Sequence, residues 1–267
     1  MKTQVKKLMT IQKSILDLSY IPIQISNSSS CPYIDSKIET RAFINLSDYP
    51  ESHDQIAEIG FRRVENWAYK PICHDCNQCI PLRINCKKFK PNQNQRRCIS
   101  KKLIRNILPC LAKKEHFQLF KKYQKERHKN GLMSKMTWDN YSNMINLTPI
   151  NSMIFEYKNS ENKLLGVILI DIQRDGLSAV YSFFDSTYKK VSIGKYMIID
   201  LINFVKDNKL NYLYLGYFIK NNDKMNYKNQ FKPNEIFMNG EWSKFKSFPI
   251  KHAGMIREVC TSSIVVG

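Results

Sequence analysis

Leu164–Phe184 reads LLGVILIDIQRDGLSAVYSFF: two apolar runs, Leu164–Ile172 and Ser178–Phe184, joined across Asp175-Gly176. Asp-Gly between strand-like runs signals a hairpin, because glycine supplies the positive φ that a tight turn needs. Met153–Tyr157 precedes them as a third strand-like run, and Tyr212–Phe218 follows as a fourth. Two helical patterns flank the set. Glu115–Asn130 (EHFQLFKKYQKERHKN) repeats Phe117, Phe120, Tyr123 and Gln124 at helical spacing with Lys and Arg between, and Gly131 follows as a stop. Gly194–Lys206 is the second. The order helix, antiparallel strands, helix, strand predicts an α+β domain with one central mixed sheet.

Toward the N-terminus the character changes near residues 105–115. Leu46–Phe61 patterns as a helix with Ser52 as its cap and Gly60 as its stop. Arg62–Tyr69 reads as one strand that ends at Pro71, and Ile80–Ile84 as another before the basic stretch Lys87–Lys90. The polar loop Ser26–Ser30 delivers Cys31. No internal repeat or long linker is visible. The expected division is a cysteine-containing N-terminal domain over 25–105, a C-terminal domain over 110–242, and a tail of unassigned role over 243–267.

The chain has 267 residues, with 42 Lys and Arg against 23 Asp and Glu, a formal charge of +19. Such an excess raises self-repulsion and does nothing for folding, so a phosphate-rich partner is the first explanation; a compositional bias toward Lys is the plain alternative. No apolar run reaches the roughly 18 residues of a membrane-spanning helix. The first twenty residues lack the continuous apolar stretch of a secretory signal.

Cys73-His74-Asp75-Cys76-Asn77-Gln78-Cys79 is the sharpest local signal. Thiolates two residues apart reach one soft metal from a tight turn, as in zinc knuckles and iron–sulfur loops. A tetrahedral site needs a fourth ligand, for which Cys31 is the choice and His74, Cys86 and Cys98 the competitors. The plain alternative is a group of reduced, packed cysteines. Either way, three thiols crowded together suit a reducing compartment, and a cytoplasmic location is expected.

Tyr69-Lys70-Pro71, followed by Cys73, Cys76, Cys79, Pro81 and Arg83, resembles the N-terminal domain of the aminoacyl-tRNA–protein transferases. The likeness extends through Ser30-Cys31-Pro32-Tyr33, Gly60-Phe61-Arg62-Arg63 and Gln95-Arg96-Arg97. It resumes at Ser178–Asp185, Ser192-Ile193-Gly194, Tyr214–Ile219, Lys224–Lys228 and Phe231. The CxxCxxC form is similar to the bacterial branch, aspartate/glutamate leucyltransferases, whereas the branch with adjacent cysteines attaches arginine. This resemblance implies an acetyltransferase-like (GNAT) C-terminal domain. It also implies leucyl-tRNA as donor (arginyl-tRNA as the alternative), and proteins beginning with Asp or Glu as acceptors, marked thereby for N-degron degradation. Two departures stand out: residues 243–267 pass the family's usual end, and Phe218 stands where Trp is common, at a pocket wall.

The implied reaction is aminolysis of an ester, which requires no cofactor; zinc or an iron–sulfur cluster on Cys31, Cys73, Cys76 and Cys79 is a separate expectation. Recognising an acidic first residue needs a sheltered cation, and the arginine fork pairs best with a carboxylate. Arg83, Arg96 and Arg97 are the candidates on family motifs, with phosphate contact as the alternative for the last two. Tyr181, Phe183, Tyr217 and Tyr227 are candidates to grip the terminal adenosine or orient the ester, though aromatic residues at period two also read as core. Asp185 either orients the attacking amine or caps the next turn. Lys224 and Lys228 suit phosphates, and so do the backbone amides of Ser192-Ile193-Gly194. Two rivals remain. An acetyl-coenzyme A enzyme of the same fold wants a glycine-rich loop, and Lys190–Lys195 holds one glycine only. A non-catalytic zinc-knuckle RNA-binding protein explains the charge and the cysteines but not the strand motifs.

Overall fold

The computed structural model describes residues 20–129, 131–220 and 222–245, with backbone only at 132, 223 and 224. A short N-terminal sheet joins strands β1 (Gln24–Ile25), β4 (Arg41–Asn45), β6 (Trp67–Pro71) and β5 (Arg62–Val64), in that order; β2 (Ser29–Ser30) and β3 (Ile38–Glu39) pair beside it. Helix α1 (His53–Glu58) covers a small core of Ile21, Ala42, Ile44, Leu46, Ile56, Phe61 and Ala68.

The larger sheet has eight strands. In chain order they are β7 (Ile80–Asn85), β8 (Ile104–Pro109), β9 (Ser152–Lys158), β10 (Leu164–Gln173), β11 (Gly176–Phe184), β12 (Tyr212–Phe218), β13 (Asn234–Met238) and β14 (Glu241–Lys244). In space the order is β14-β13-β7-β12-β11-β10-β9-β8. Every neighbouring pair is antiparallel except β11 with β12. The parallel pair exists because the chain crosses over between them through α5 (Ile193–Asp207).

Central β10 is buried along nearly its whole length, which its unbroken apolar run demands. One face packs against α5 and α2 (Gln93–Ile99). The other packs against α3 (Lys114–Arg127) and α4 (Trp138–Asn146), which contribute Leu119, Phe120, Tyr141, Met144 and Ile145. The molecule is thus mixed α and β around a large mixed sheet. Gly176 is obligatory in the Asp175-Gly176 turn, since a side chain there would collide with the Tyr212 carbonyl.

Three expectations change. The helix expected over 46–61 shrinks to a 3-10 turn, Pro50–Ser52, followed by α1, and Ser52 Oγ donates to the Tyr49 carbonyl instead of capping. The single strand expected over 62–69 is the β5–β6 hairpin, because Glu65 takes a left-handed φ of 52° and turns the chain. The expected change near 105–115 does not separate two sheets: β7, which precedes it in the chain, lies between β12 and β13. Of the expected tail 243–267, Ser243 and Lys244 belong to β14, which closes the sheet edge against β13; Cys260 falls outside the described residues. Helices α2 and α4 went unread although each opens on a capping box, Asn92 with Gln95 and Thr137 with Asn140.

The two sheets are locked together by a buried ion pair. Arg63 on β5 gives both ends of its fork to Asp171 on β10, with Nε and Nη2 each 2.8 Å from a carboxylate oxygen. Ser152 Oγ donates to the same carboxylate. Removing either charge from such a pair typically costs about 3–5 kcal/mol, because its partner is left buried and uncompensated.

Candidate active site

Strands β11 and β12 stay paired for only three steps, Gly176↔Tyr212, Leu177↔Leu213 and Ser178↔Tyr214, and then diverge. On its other edge β12 loses register with β7 between Tyr214 and Tyr217. The irregularity contains Gly216, whose φ of +78° lies in the left-handed region that glycine alone enters freely. A V-shaped opening therefore interrupts the sheet at its one parallel pair.

The guanidinium of Arg62 spans this opening. Its Nη2 donates to the Ala179 carbonyl on β11 at 3.4 Å. The same Nε–Nη2 edge lies over Gly216 on β12, where a Cβ would stand 3.5 Å from Nε and Nη2. Burial holds Arg62 below the usual arginine range, offset in part by Tyr217, Tyr69 and Asp171. Lys228 is its buried neighbour, 6% exposed. Lys228 Nζ donates to the Tyr217 carbonyl at 2.5 Å. Burial and then the charge of Arg62 bring its ammonium down to about 7. Among the described residues neither Arg62 nor Lys228 has a carboxylate in ion-pair contact. Sequence reading passed over Arg62 as a site residue, although the doublet Arg62-Arg63 on a strand sends the two side chains to opposite faces.

The expected site residues divide. Lys228 alone of them stands beside Arg62 as a buried cation. Tyr217 is adjacent, but its hydroxyl is committed to the carbonyls of Gly60 and Tyr69, at 2.9 and 3.0 Å, where it ties the small sheet to β12. Tyr181 accepts a 2.6 Å hydrogen bond from Gln124 and packs on Phe120. Phe183 is 1% exposed, edge-on to Phe120, and is core. Phe218, expected at a pocket wall, is likewise buried, against Phe245. Tyr227 is 42% exposed. Lys224 has its backbone in α6 (Asp223–Asn226), and its side chain falls outside the described residues.

Asp185 is a turn cap. Its Oδ1 accepts from the Thr187 amide at 3.0 Å and from Lys122 at 2.8 Å. Burial pushes its carboxyl up, but Lys122 and Thr187 outweigh this and hold it at about 2, too weak a base to take a proton from an amine. Arg83 is stacked 3.6 Å from the ring of Tyr212 and paired with Glu235, Nε to Oε2 at 2.8 Å, so its fork is already filled. Arg96 and Arg97 are exposed on α2, with Arg96 Nη1 donating to the Pro91 carbonyl, which suits the phosphate alternative. Gly194 leaves room for the Phe184 ring, 3.0 Å from a would-be Cβ, so packing explains it without a phosphate.

Cys79 is half-buried, and burial followed by the charges of Cys31, Cys73 and Cys76 pushes its thiol up to about 12. The four cysteines thus share one electrostatic neighbourhood, beside Lys228, on which Cys79 also acts. Of the competitors, His74 is exposed and paired with Asp75, Cys86 is buried on the Ile84 carbonyl, and Cys98 is near the Ser192 carbonyl. Among the described residues no three His, Cys, Asp or Glu side chains stand in metal-ligand geometry. The donor set suits a soft ion chemically, but the four thiolates would have to close upon it.

Lys121, Lys122, Lys125 and Lys129 on and just beyond α3 line an open depression of about 420 Å³ with Ser134. No helix among the described residues is long and apolar enough to cross a membrane.

Comparison with known proteins places these features. Residues 29–97 match the family described as arginine-tRNA-protein transferase, N terminus, and residues 115–238 match its C terminus. Aspartate/glutamate leucyltransferase of Gluconacetobacter diazotrophicus is 40% identical over 217 residues, 80% of this chain and 84% of that protein. The protein of the same name in Hyphomonas neptunium is 38% identical over 82% of this chain and 89% of its own length. That of Saccharophagus degradans is 35% identical over 86% of this chain and 99% of its own. Spanning both halves of the family pattern and most of each relative, this chain belongs to the aminoacyl-tRNA–protein transferases.

Proposed function

We propose that the chain moves leucine from leucyl-tRNA to the N-terminal α-amine of proteins that begin with Asp or Glu, marking them for N-degron degradation. Family membership and the shared name of its relatives support the reaction. The observation that carries the site is the opening between β11 and β12 at Gly216, crossed by Arg62. We read the sheet around it as an acetyltransferase-like domain, preceded by the cysteine-containing segment, and the enzyme as cytoplasmic.

In this reaction the α-nitrogen attacks the carbonyl carbon of the ester, the bond to the terminal ribose oxygen breaks, and a proton passes from the nitrogen to the leaving oxygen through solvent. A free α-amine has a pKa of about 7.7–8.0, so a useful fraction is already neutral and the demand for a strong base is small. Asp185, held at about 2, is unsuited to that task in any case. Acceleration then comes chiefly from holding two substrates in attack geometry, worth effective molarities of about 10⁵ M or more. Backbone amides at the irregular stretch of β12 would stabilise the oxyanion.

For the cysteines, Cys31, Cys73, Cys76 and Cys79 would hold zinc or an iron–sulfur cluster, chosen on the softness of four thiolates. A metal there would bind the loop before β7 to the Cys31 loop, and no chemical step depends on it.

The test supplies labelled leucyl-tRNA or labelled arginyl-tRNA with peptides that differ only in starting with Asp or Ala. Label should pass from leucyl-tRNA to the Asp peptide. Transfer from arginyl-tRNA alone would reassign the donor, and no transfer from either would sink the reading.

A further inference from the structure

We propose that Arg62, with Lys228 beside it, is the receptor for the side-chain carboxylate of the acceptor's first residue, and so sets the requirement for Asp or Glu. This rests on the transferase reading above and names the specificity determinant of that site.

Arg41, Arg62, Arg63, Arg83 and Arg105 are the described arginines that are buried or half-buried. Arg41 pairs with Glu39, Arg63 with Asp171, Arg83 with Glu235 and Arg105 with Asp200. Arg62 has no such partner among the described residues; its one hydrogen bond is the 3.4 Å contact to Ala179. A sheltered guanidinium left with unused donors is costly, and burying a second cation, Lys228, beside it adds to the cost. An incoming carboxylate would relieve both. It would use the planar fork of Arg62 bidentately and accept a hydrogen bond from the ammonium of Lys228, whose other contacts are the Tyr217 carbonyl and the Met225 sulfur. The depressed values of both cations have the sign expected of a site waiting for an anion.

Position agrees with pairing. Arg62 bridges the two diverging strands, so a carboxylate on its outer edge sits at the mouth of the opening. In an N-terminal Asp or Glu the α-nitrogen is only a few bonds from that carboxylate. Anchoring one therefore delivers the other into the opening, where attack geometry is needed. A tRNA phosphate is better served by the exposed lysines on α3.

The experiment compares wild type, Arg62→Gln and Arg62→Lys on peptides that start with Asp or its uncharged isostere Asn, at saturating leucyl-tRNA. Losing a desolvated charge pair should lower kcat/KM for the Asp peptide by about 30-fold or more in Arg62→Gln. The ratio of the Asp rate to the Asn rate should therefore collapse, because the charge pair is lost only with Asp. Arg62→Lys should keep part of the preference, and filter-bound leucyl-tRNA affinity should be unchanged in both. Equal losses on Asp and Asn, or weakened leucyl-tRNA binding with the Asp preference intact, would overturn the proposal and give Arg62 to the donor. If Arg62→Gln does not fold, Lys228→Met decides: an unchanged Asp-to-Asn ratio there overturns the pair. Were wild type to transfer no amino acid at all, the transferase reading would fail by itself. Calorimetry of the two peptides would still judge the receptor, with equal affinities for wild type overturning it.

Discussion

Consecutive arginines have separate fates here because a strand alternates its faces. Arg63 turns inward to Asp171, and Arg62 turns to the opening at Gly216. Arg83 has its fork filled by Glu235 and its face by Tyr212. Asp185 shows the same logic for an acid. With its carboxyl at about 2 in the fold and near 3.9 when unfolded, it contributes stability that is complete above the unfolded value. That contribution fades as pH falls from about 4 to about 2. Asp185→Asn is expected to cost about 2 kcal/mol at neutral pH and to flatten this part of the acid limb. Urea titrations between pH 7 and pH 2 measure both, and a variant with the wild-type curve would dismiss the turn cap.

At the scale of elements, the loop Ile72–Cys79 joins β6 of the small sheet to β7 of the large one. Its three cysteines share an electrostatic neighbourhood with Cys31, so a bound ion would tie this loop to the Cys31 segment, in addition to the Arg63–Asp171 pair. Freshly purified anaerobic protein is expected to carry zinc, or to be coloured by an iron–sulfur cluster that air bleaches. Cys76→Ser should lose that metal and melt earlier, since a structural ion contributes folding energy. Elemental analysis decides; less than about a tenth of an equivalent with full activity leaves the four cysteines as packing residues.

For the whole molecule the governing quantity is charge. An excess of +19, with four lysines lining one depression, fits a partner bound through phosphates. If three or more phosphates are neutralised, leucyl-tRNA affinity should fall more than about tenfold between roughly 50 and 200 mM salt. Filter binding across that range measures it, and a flat response would leave the excess as compositional bias.

The sequence by itself determined the large sheet's central elements, because β9, β10, β11 and β12 are long apolar runs and α3 and α5 are strongly periodic, with glycines or polar turns between them. It also carried the family, through motifs spread over both halves. Local pattern could not supply what depends on partners distant in the chain. Whether an arginine is spent or open is decided by the carboxylate that folding brings to it: Asp171 for Arg63 and Glu235 for Arg83, each far along the sequence. Asp185 and Phe183 looked like site residues for the same reason, until Lys122 and Phe120 on α3 claimed them. The opening itself is a property of pairing. It exists because β11 and β12 part after Ser178 and Tyr214, a divergence that only the packed sheet could reveal.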